Sequence, residues 1–151
     1  MKKRSYNLSG KIDAAFLDAI DQFMKSTSAL NIPCFIIGAT ARDLILEKAF
    51  NLPVYRATLD VDLGIRLKNW DEIVELKTEL TSQDHFNESA IIHRLMFKNQ
   101  VVLDLIPFGP IAKNRDIIAW PPDGDVIMST MGMEEAFNSA VPEPGVRPSY
   151  P

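Results

Sequence analysis

The stretch Arg56-Ala57-Thr58-Leu59-Asp60-Val61-Asp62-Leu63-Gly64-Ile65 constrains this chain more than any other. Its residues suit an extended strand, and successive strand side chains point to opposite faces. Asp60 and Asp62 therefore share one face, while Leu59, Val61, Leu63 and Ile65 line the other. A strand of this kind needs a core on one side and a reason for two neighbouring carboxylates on the other. Adjacent carboxylates repel, and one of them normally holds its proton more tightly. A divalent cation removes the conflict, and Mg²⁺ favours one or two carboxylates together with water and substrate phosphates. The pair is thus a candidate Mg²⁺ site for phosphoryl chemistry. The plainer alternative is a solvated strand carrying two surface aspartates. A Ca²⁺ loop of the EF-hand type starting at Asp60 is excluded, because its sixth and twelfth positions call for Gly and Glu and hold Ile65 and Asp71.

Upstream, Lys11 to Ser28 has helical periodicity, with Phe16, Ile20, Phe23 and Met24 forming one apolar stripe for core packing. Cys34 to Ile37 is a short continuous apolar run, read as a strand buried on both faces. Gly38-Ala39-Thr40-Ala41-Arg42-Asp43 follows at once, and a helix is expected to about Ala49, with Leu44 and Ile45 toward the core. Gly38 permits close approach of backbone or ligand, and Thr40 is placed to cap the helix. The free N–H groups at such a helix start form an anion site, to which Arg42 adds a cation. Asn51-Leu52-Pro53 breaks the chain before the aspartate strand, which is expected over roughly Ala57 to Leu67.

Downstream, Asn69 with Glu72 resembles a capping box. A helix over Trp70 to Thr81 is predicted, with Ile73, Leu76 and Leu80 inward. Ser82 to Ser89, including His85, reads as a polar loop. Ile91 to Lys98 and Val101 to Ile106 read as a hairpin turned by Asn99-Gln100, closed by Pro107-Phe108-Gly109-Pro110. Asp104 is the one charge in the second of these strands. A buried strand charge costs several kcal/mol unless it is paired or binds a metal. It therefore either pairs with Arg94 across the hairpin or completes a metal site with Asp60 and Asp62. Ile117 to Trp120 and Val126 to Thr130 flank a Pro/Asp/Gly turn and read as a second hairpin. Met133 to Val141 reads as a short helix. Pro142 to Pro151 holds four prolines and is expected to be loose.

At 151 residues the chain fits one domain, and 46% apolar with 24% charged residues supports a packed core. The formal net charge of −4 argues against broad nonspecific nucleic-acid binding. It leaves room for a local RNA contact. Cys34 is the lone cysteine, so no internal disulfide forms. No run of about 18 apolar residues exists, so no membrane partner is expected. No signal peptide is visible, and a cytoplasmic setting is expected.

A Gly turn entering a helix, an Asp-x-Asp strand, and a lone strand aspartate about forty residues later occur in order. This constellation resembles the nucleotidyltransferase superfamily that includes DNA polymerase β, the CCA-adding enzymes and the minimal nucleotidyltransferases. Ile36-Ile37-Gly38-Ala39-Thr40-Ala41-Arg42-Asp43 resembles the family's Gly-Gly/Gly-Ser turn. Arg56-x-Thr58-x-Asp60-x-Asp62-Leu63 and Val102-Leu103-Asp104-Leu105-Ile106-Pro107-Phe108-Gly109 look closest to the AbiEii-type toxin branch. The resemblance covers about residues 10–141, taken as one domain over 1–141 with a Pro-rich tail over 142–151. It implies an α+β fold, a small mixed β-sheet flanked by helices on one side.

The resemblance also implies roles. Gly38, Ala39, Thr40 and Arg42 would hold the nucleotide phosphates. Asp60, Asp62 and Asp104 would bind Mg²⁺ (or Mn²⁺), and Asp104 would help deprotonate the acceptor. Ala39 departs from the family, which usually has Gly or Ser there, so one hydroxyl contact is lost. The family usually continues into a helical region that helps bind base and acceptor, so a truncated or minimal form is expected. The implied activity moves NMP from an NTP to an acceptor hydroxyl on tRNA or other RNA, protein or a small molecule. A toxin–antitoxin role with a cognate antitoxin partner is implied by the AbiEii likeness. The alternative is a catalytically weak or inactive binding module of the same fold, antitoxin-like in role.

Overall fold

The computed structural model describes residues 14–50, 60–112 and 116–140, without the side chains of residues 44, 45 and 47–49. The expectations for the termini, for Asn51-Leu52-Pro53, for Arg56 and Thr58, and for Leu44 and Ile45 lie outside the described residues or side chains. The elements in order are α1 (Ala14–Ala29), β1 (Cys34–Ile37), α2 (Gly38–Phe50), β2 (Asp60–Arg66), α3 (Trp70–Thr81), β3 (Phe86–Glu88), β4 (Arg94–Phe97), β5 (Val101–Phe108), β6 (Ile117–Ala119), β7 (Ile127–Ser129) and α4 (Met133–Ser139). The fold is α+β, built on a five-stranded mixed sheet in the order β1-β2-β5-β4-β3. Only β2 and β5 run parallel; the other neighbours are antiparallel. β6 and β7 form a separate two-stranded sheet.

Alternation along the strands separates two faces. Val61, Leu63 and Ile65 of β2, Leu95 and Phe97 of β4, and Val101, Leu103 and Leu105 of β5 are buried on one face. α1 covers this face with Phe16, Ala19, Ile20, Phe23 and Met24, and α3 with Ile73, Leu76 and Leu80. Each of the larger apolar side chains contributes about 1.5–3 kcal/mol on leaving water, so this face holds the fold together. The predicted stripe on α1 and the three inward residues of α3 are all buried, as their spacing demands. The α3 start is capped: Asn69 accepts from the Glu72 N–H at 3.2 Å, and Glu72 accepts from the Lys68 N–H at 2.6 Å.

The opposite face carries alternate residues of the same strands. It is partly covered by α4, which packs Phe137 edge-on against Phe35 and tilted against Phe108. Arg66 ties α4 to the end of β2 through Glu134 at 2.9 Å. α1 and α3 thus lie on one side as expected, and the seven-residue α4 adds a patch on the other.

Several local expectations are corrected. β1 is an edge strand whose four residues are half-buried, not buried on both faces. Residues 86–88 form a strand within the expected loop, because Phe86 is buried against Phe97 at the sheet edge. β5 runs through Pro107, paired with Ile65, to Phe108. The Leu105 N–H meets the His93 carbonyl just beyond β4, and two residues on, the Pro107 nitrogen faces past that strand's end, where no donor is needed.

Candidate metal and phosphate site

Strand register assembles the site. Ile37 of β1 lies opposite Asp62 of β2, Asp62 beside Asp104 of β5, and Asp104 opposite Arg94 of β4. These residues form one row across four strands, on the face away from α1 and α3. Asp60 is two residues before Asp62 and therefore shares that face; it is exposed, while Asp62 and Asp104 are half-buried. The apolar positions between the aspartates fix this outcome. Leu59 lies outside the described residues, but Val61, Leu63, Leu103 and Leu105 are fully buried and turn the carboxylates the other way.

Gly38 ends β1 and begins α2 with φ +69. A Cβ there would stand 2.6 Å from Asp62 Oδ2, so only glycine lets the helix start press against this carboxylate. Thr40 is not a cap: the helix already begins at Gly38. Its buried hydroxyl instead donates to the Asp60 carbonyl at 2.8 Å, fastening the first turn of α2 to the start of β2. Ala39 is exposed. The Arg42 side chain is 67% exposed and pairs with its neighbour Asp43 at 3.0 Å.

Asp104 is held by Arg94 through two parallel bonds, Nε to Oδ1 and a terminal nitrogen to Oδ2, both 2.8 Å. The plain explanation for a strand carboxylate, an ion pair across the hairpin, is therefore present. Asp62 has no such partner among the described residues. Burial, then the charges of Asp104 and Asp60, hold its carboxyl above the ordinary carboxylate value; Arg94 and His93 offset this in part. Arg94 is held more firmly protonated by its bonds to Asp104.

Oxygen-only donors on one face suit a hard cation such as Mg²⁺ or Mn²⁺. The like-charge stress on Asp62 is the condition such an ion relieves, so the donor set fits. Among the described residues, however, no three His, Cys, Asp or Glu side chains are gathered closely enough to grip an ion as they stand. Asp104 is turned onto Arg94 instead.

Arg94 and His93 also border the site: the sequence marks Arg94 as a partner for Asp104 and carries no signal for His93. His93 Nδ1 is buried without a hydrogen-bond partner among the described residues. Arg94 was legible in the hairpin, had the turn been counted as three residues, Lys98 to Gln100. Phe97 then opposes Val101, and Arg94 opposes Asp104. A two-residue Asn99-Gln100 turn would have placed Leu105 opposite Arg94.

No protein family description matches the sequence, and no curated protein sequence matches it. Solved structures that resemble this chain include two CCA-adding enzymes. One is a CCA-adding enzyme in complex with CTP, at 16% identity and a TM-score of 0.47, matched over 66% of this chain and 22% of that one. The other is the Thermotoga maritima CCA-adding enzyme complexed with tRNA, at 15% identity and a TM-score of 0.49, matched over 87% of this chain and 33% of that one. The chain thus spans a third or less of the length of these enzymes. No described helix is long and apolar enough to cross a membrane.

Proposed function

We propose that this chain is a nucleotidyltransferase, moving NMP from an NTP to an acceptor hydroxyl. The observation that carries the reading is the row Asp62–Asp104 with Asp60 on the same face, set against the glycine start of α2. Carboxylates and free helix N–H groups then meet at one place, where a triphosphate and its cations belong together. Mg²⁺ or Mn²⁺ held by Asp60, Asp62 and Asp104 would neutralise phosphate charge and favour attack and departure in line.

The chain's own residues do the rest. Gly38 lets the first turn of α2 lie against Asp62, and the first N–H groups of α2 would bind phosphate oxygens. Thr40 keeps that helix start aligned with Asp60. Asp104 takes the acceptor's proton while the hydroxyl oxygen bonds to the α-phosphorus. The bond to the bridging oxygen breaks, pyrophosphate leaves, and the proton passes to water. The acceptor is tRNA or another RNA, a protein or a small molecule, and the AbiEii likeness suggests a toxin with a cognate antitoxin.

The two-pronged hold of Arg94 on Asp104 favours a second reading, a non-catalytic binding module of the same fold. Pyrophosphate release separates the two. Wild type incubated with each NTP, Mg²⁺ and total cellular RNA or protein should release pyrophosphate; Asp104→Asn should still bind nucleotide and release none. Nucleotide binding without release in wild type would favour the module.

A further inference from the structure

α3 buries Ile73, Leu76 and Leu80 against the packed face of the sheet and turns its other side outward. Along that outer side Asp71, Glu75 and Glu79 stand one turn apart, all exposed. No described cation pairs with them. Lys77 of the same helix is turned away, onto the Ile92 carbonyl and Glu88. Asp71 is in the first turn, where the helix dipole favours an anion. Glu75 and Glu79 have no such support. Like charges four residues apart repel, and Glu79 lies in the last turn, where the dipole disfavours an anion and no basic residue stands. Val74 is 62% exposed beside this row. Farther along, an open hollow of about 360 Å³ is lined by Leu30, Glu75, Thr78, Glu79 and Ser82. The Gln83 amide donates to the Ser26 hydroxyl at 2.9 Å and fixes the end of α3 against α1.

We propose that the outer face of α3, with the hollow between it and Leu30, docks a basic amphipathic helix of a partner protein. The partner's Lys or Arg side chains lie along Asp71, Glu75 and Glu79, and its apolar side chains rest on Val74 and enter the hollow. Helical spacing sets the match, because cations one turn apart on the partner meet carboxylates one turn apart here. A lone exposed Val74 would be ordinary. Here it continues into a hollow that holds Leu30, so the face offers apolar anchors as well as charge. A surface kept only for solubility mixes both signs and needs no repelling neighbours. The row repels RNA phosphates, and it repels a second copy of itself. The inference does not depend on the proposed transferase site. α3 and the carboxylate row lie on opposite faces of the sheet, so a docked helix leaves the row uncovered.

The probe is a fluorescent synthetic helical peptide with Lys at every fourth position and Leu on the same face, titrated with the full chain and read by anisotropy. It should bind, and amide resonances should shift along α3 and at Leu30. Glu75→Gln combined with Glu79→Gln should weaken binding roughly fivefold or more, and added salt should weaken binding to wild type. Val74→Ser should weaken it as well, and so should a peptide with Ser in place of Leu. Glu75, Glu79 and Val74 are all exposed, so these variants should fold. Failure of the peptide to bind wild type overturns the inference. So does binding undiminished by the paired glutamine substitutions, which would reflect only the acidity of the whole chain. Equal binding of the peptide with Ser, or its displacement by polyuridylate, also overturns it.

Discussion

The two faces of the central sheet use the same strands to opposite ends. Leu103 and Asp104 are neighbours in β5, yet one is fully buried under the helices and the other sits in a row with Asp62 and Arg94. The first face is apolar, closely packed and self-sufficient. The second combines three carboxylates, one bidentate arginine and a small aromatic patch under α4. Packing gives the first face its stability. The second keeps a carboxyl, Asp62, raised by burial and then by the charges of Asp104 and Asp60, which makes it a candidate site.

Substitutions in the two faces should therefore differ in size and in sign. Leu103→Ala on the packed face should cost the most, about 3 kcal/mol by denaturant titration, with the site residues left in place. Gly64→Ala probes a stretch where the second face is also packed. Its Cβ would fall 2.5 Å from the Phe35 ring and 2.9 Å from the Met133 methyl. Both neighbours are side chains able to give way, so the cost should be about 1–2 kcal/mol. A cost near zero would mean that α4 does not press on this face.

The smallest effect should have the opposite sign. The Asp62 carboxyl is raised by burial and by Asp104 and Asp60. The folded state therefore binds this proton more tightly than the unfolded chain. Stability contributed through Asp62 is fullest below the ordinary carboxylate value of 3.8 and is lost as pH rises through the raised one. Asp62→Asn should accordingly stabilise the metal-free protein near neutral pH, by about 0.5 kcal/mol for a partly screened group. The gain should vanish in acid. Melting curves of both proteins across pH would check it; a neutral-pH loss of stability would show that Asp62 is structurally paired.

The packed face was easy to read in the sequence. The stripe of α1, the inward residues of α3 and the alternation around Asp60 and Asp62 each repeat a single period over several residues. Asn69 and Glu72 marked the start of α3 because capping is a local interaction. Features set by tertiary neighbours were harder to read. β3 is three residues with one apolar anchor, Phe86, and carries no period of its own. Pro107 looked like a stop but stands where β4 has already ended. Thr40 has the residue type of a cap, yet its hydroxyl answers a carbonyl twenty residues away. On the second face, Asp60, Asp62 and Asp104 drew notice as charges in apolar strands. The place of Arg94 among them depended on a turn longer by one residue than expected.

Calorimetric titration with ATP, CTP, GTP and UTP, in Mg²⁺ and again in chelator, tests the second face most directly. The raised Asp62 carboxyl and the helix start beside it lead the proposed function to predict binding of at least one nucleotide in Mg²⁺ and none in chelator. Asp62→Asn should weaken that binding by about tenfold or more, since an amide replaces a hard anionic ligand. Equal binding in Mg²⁺ and chelator, or undiminished binding by Asp62→Asn, would contradict the account and return Asp60 and Asp62 to the role of a solvated strand face.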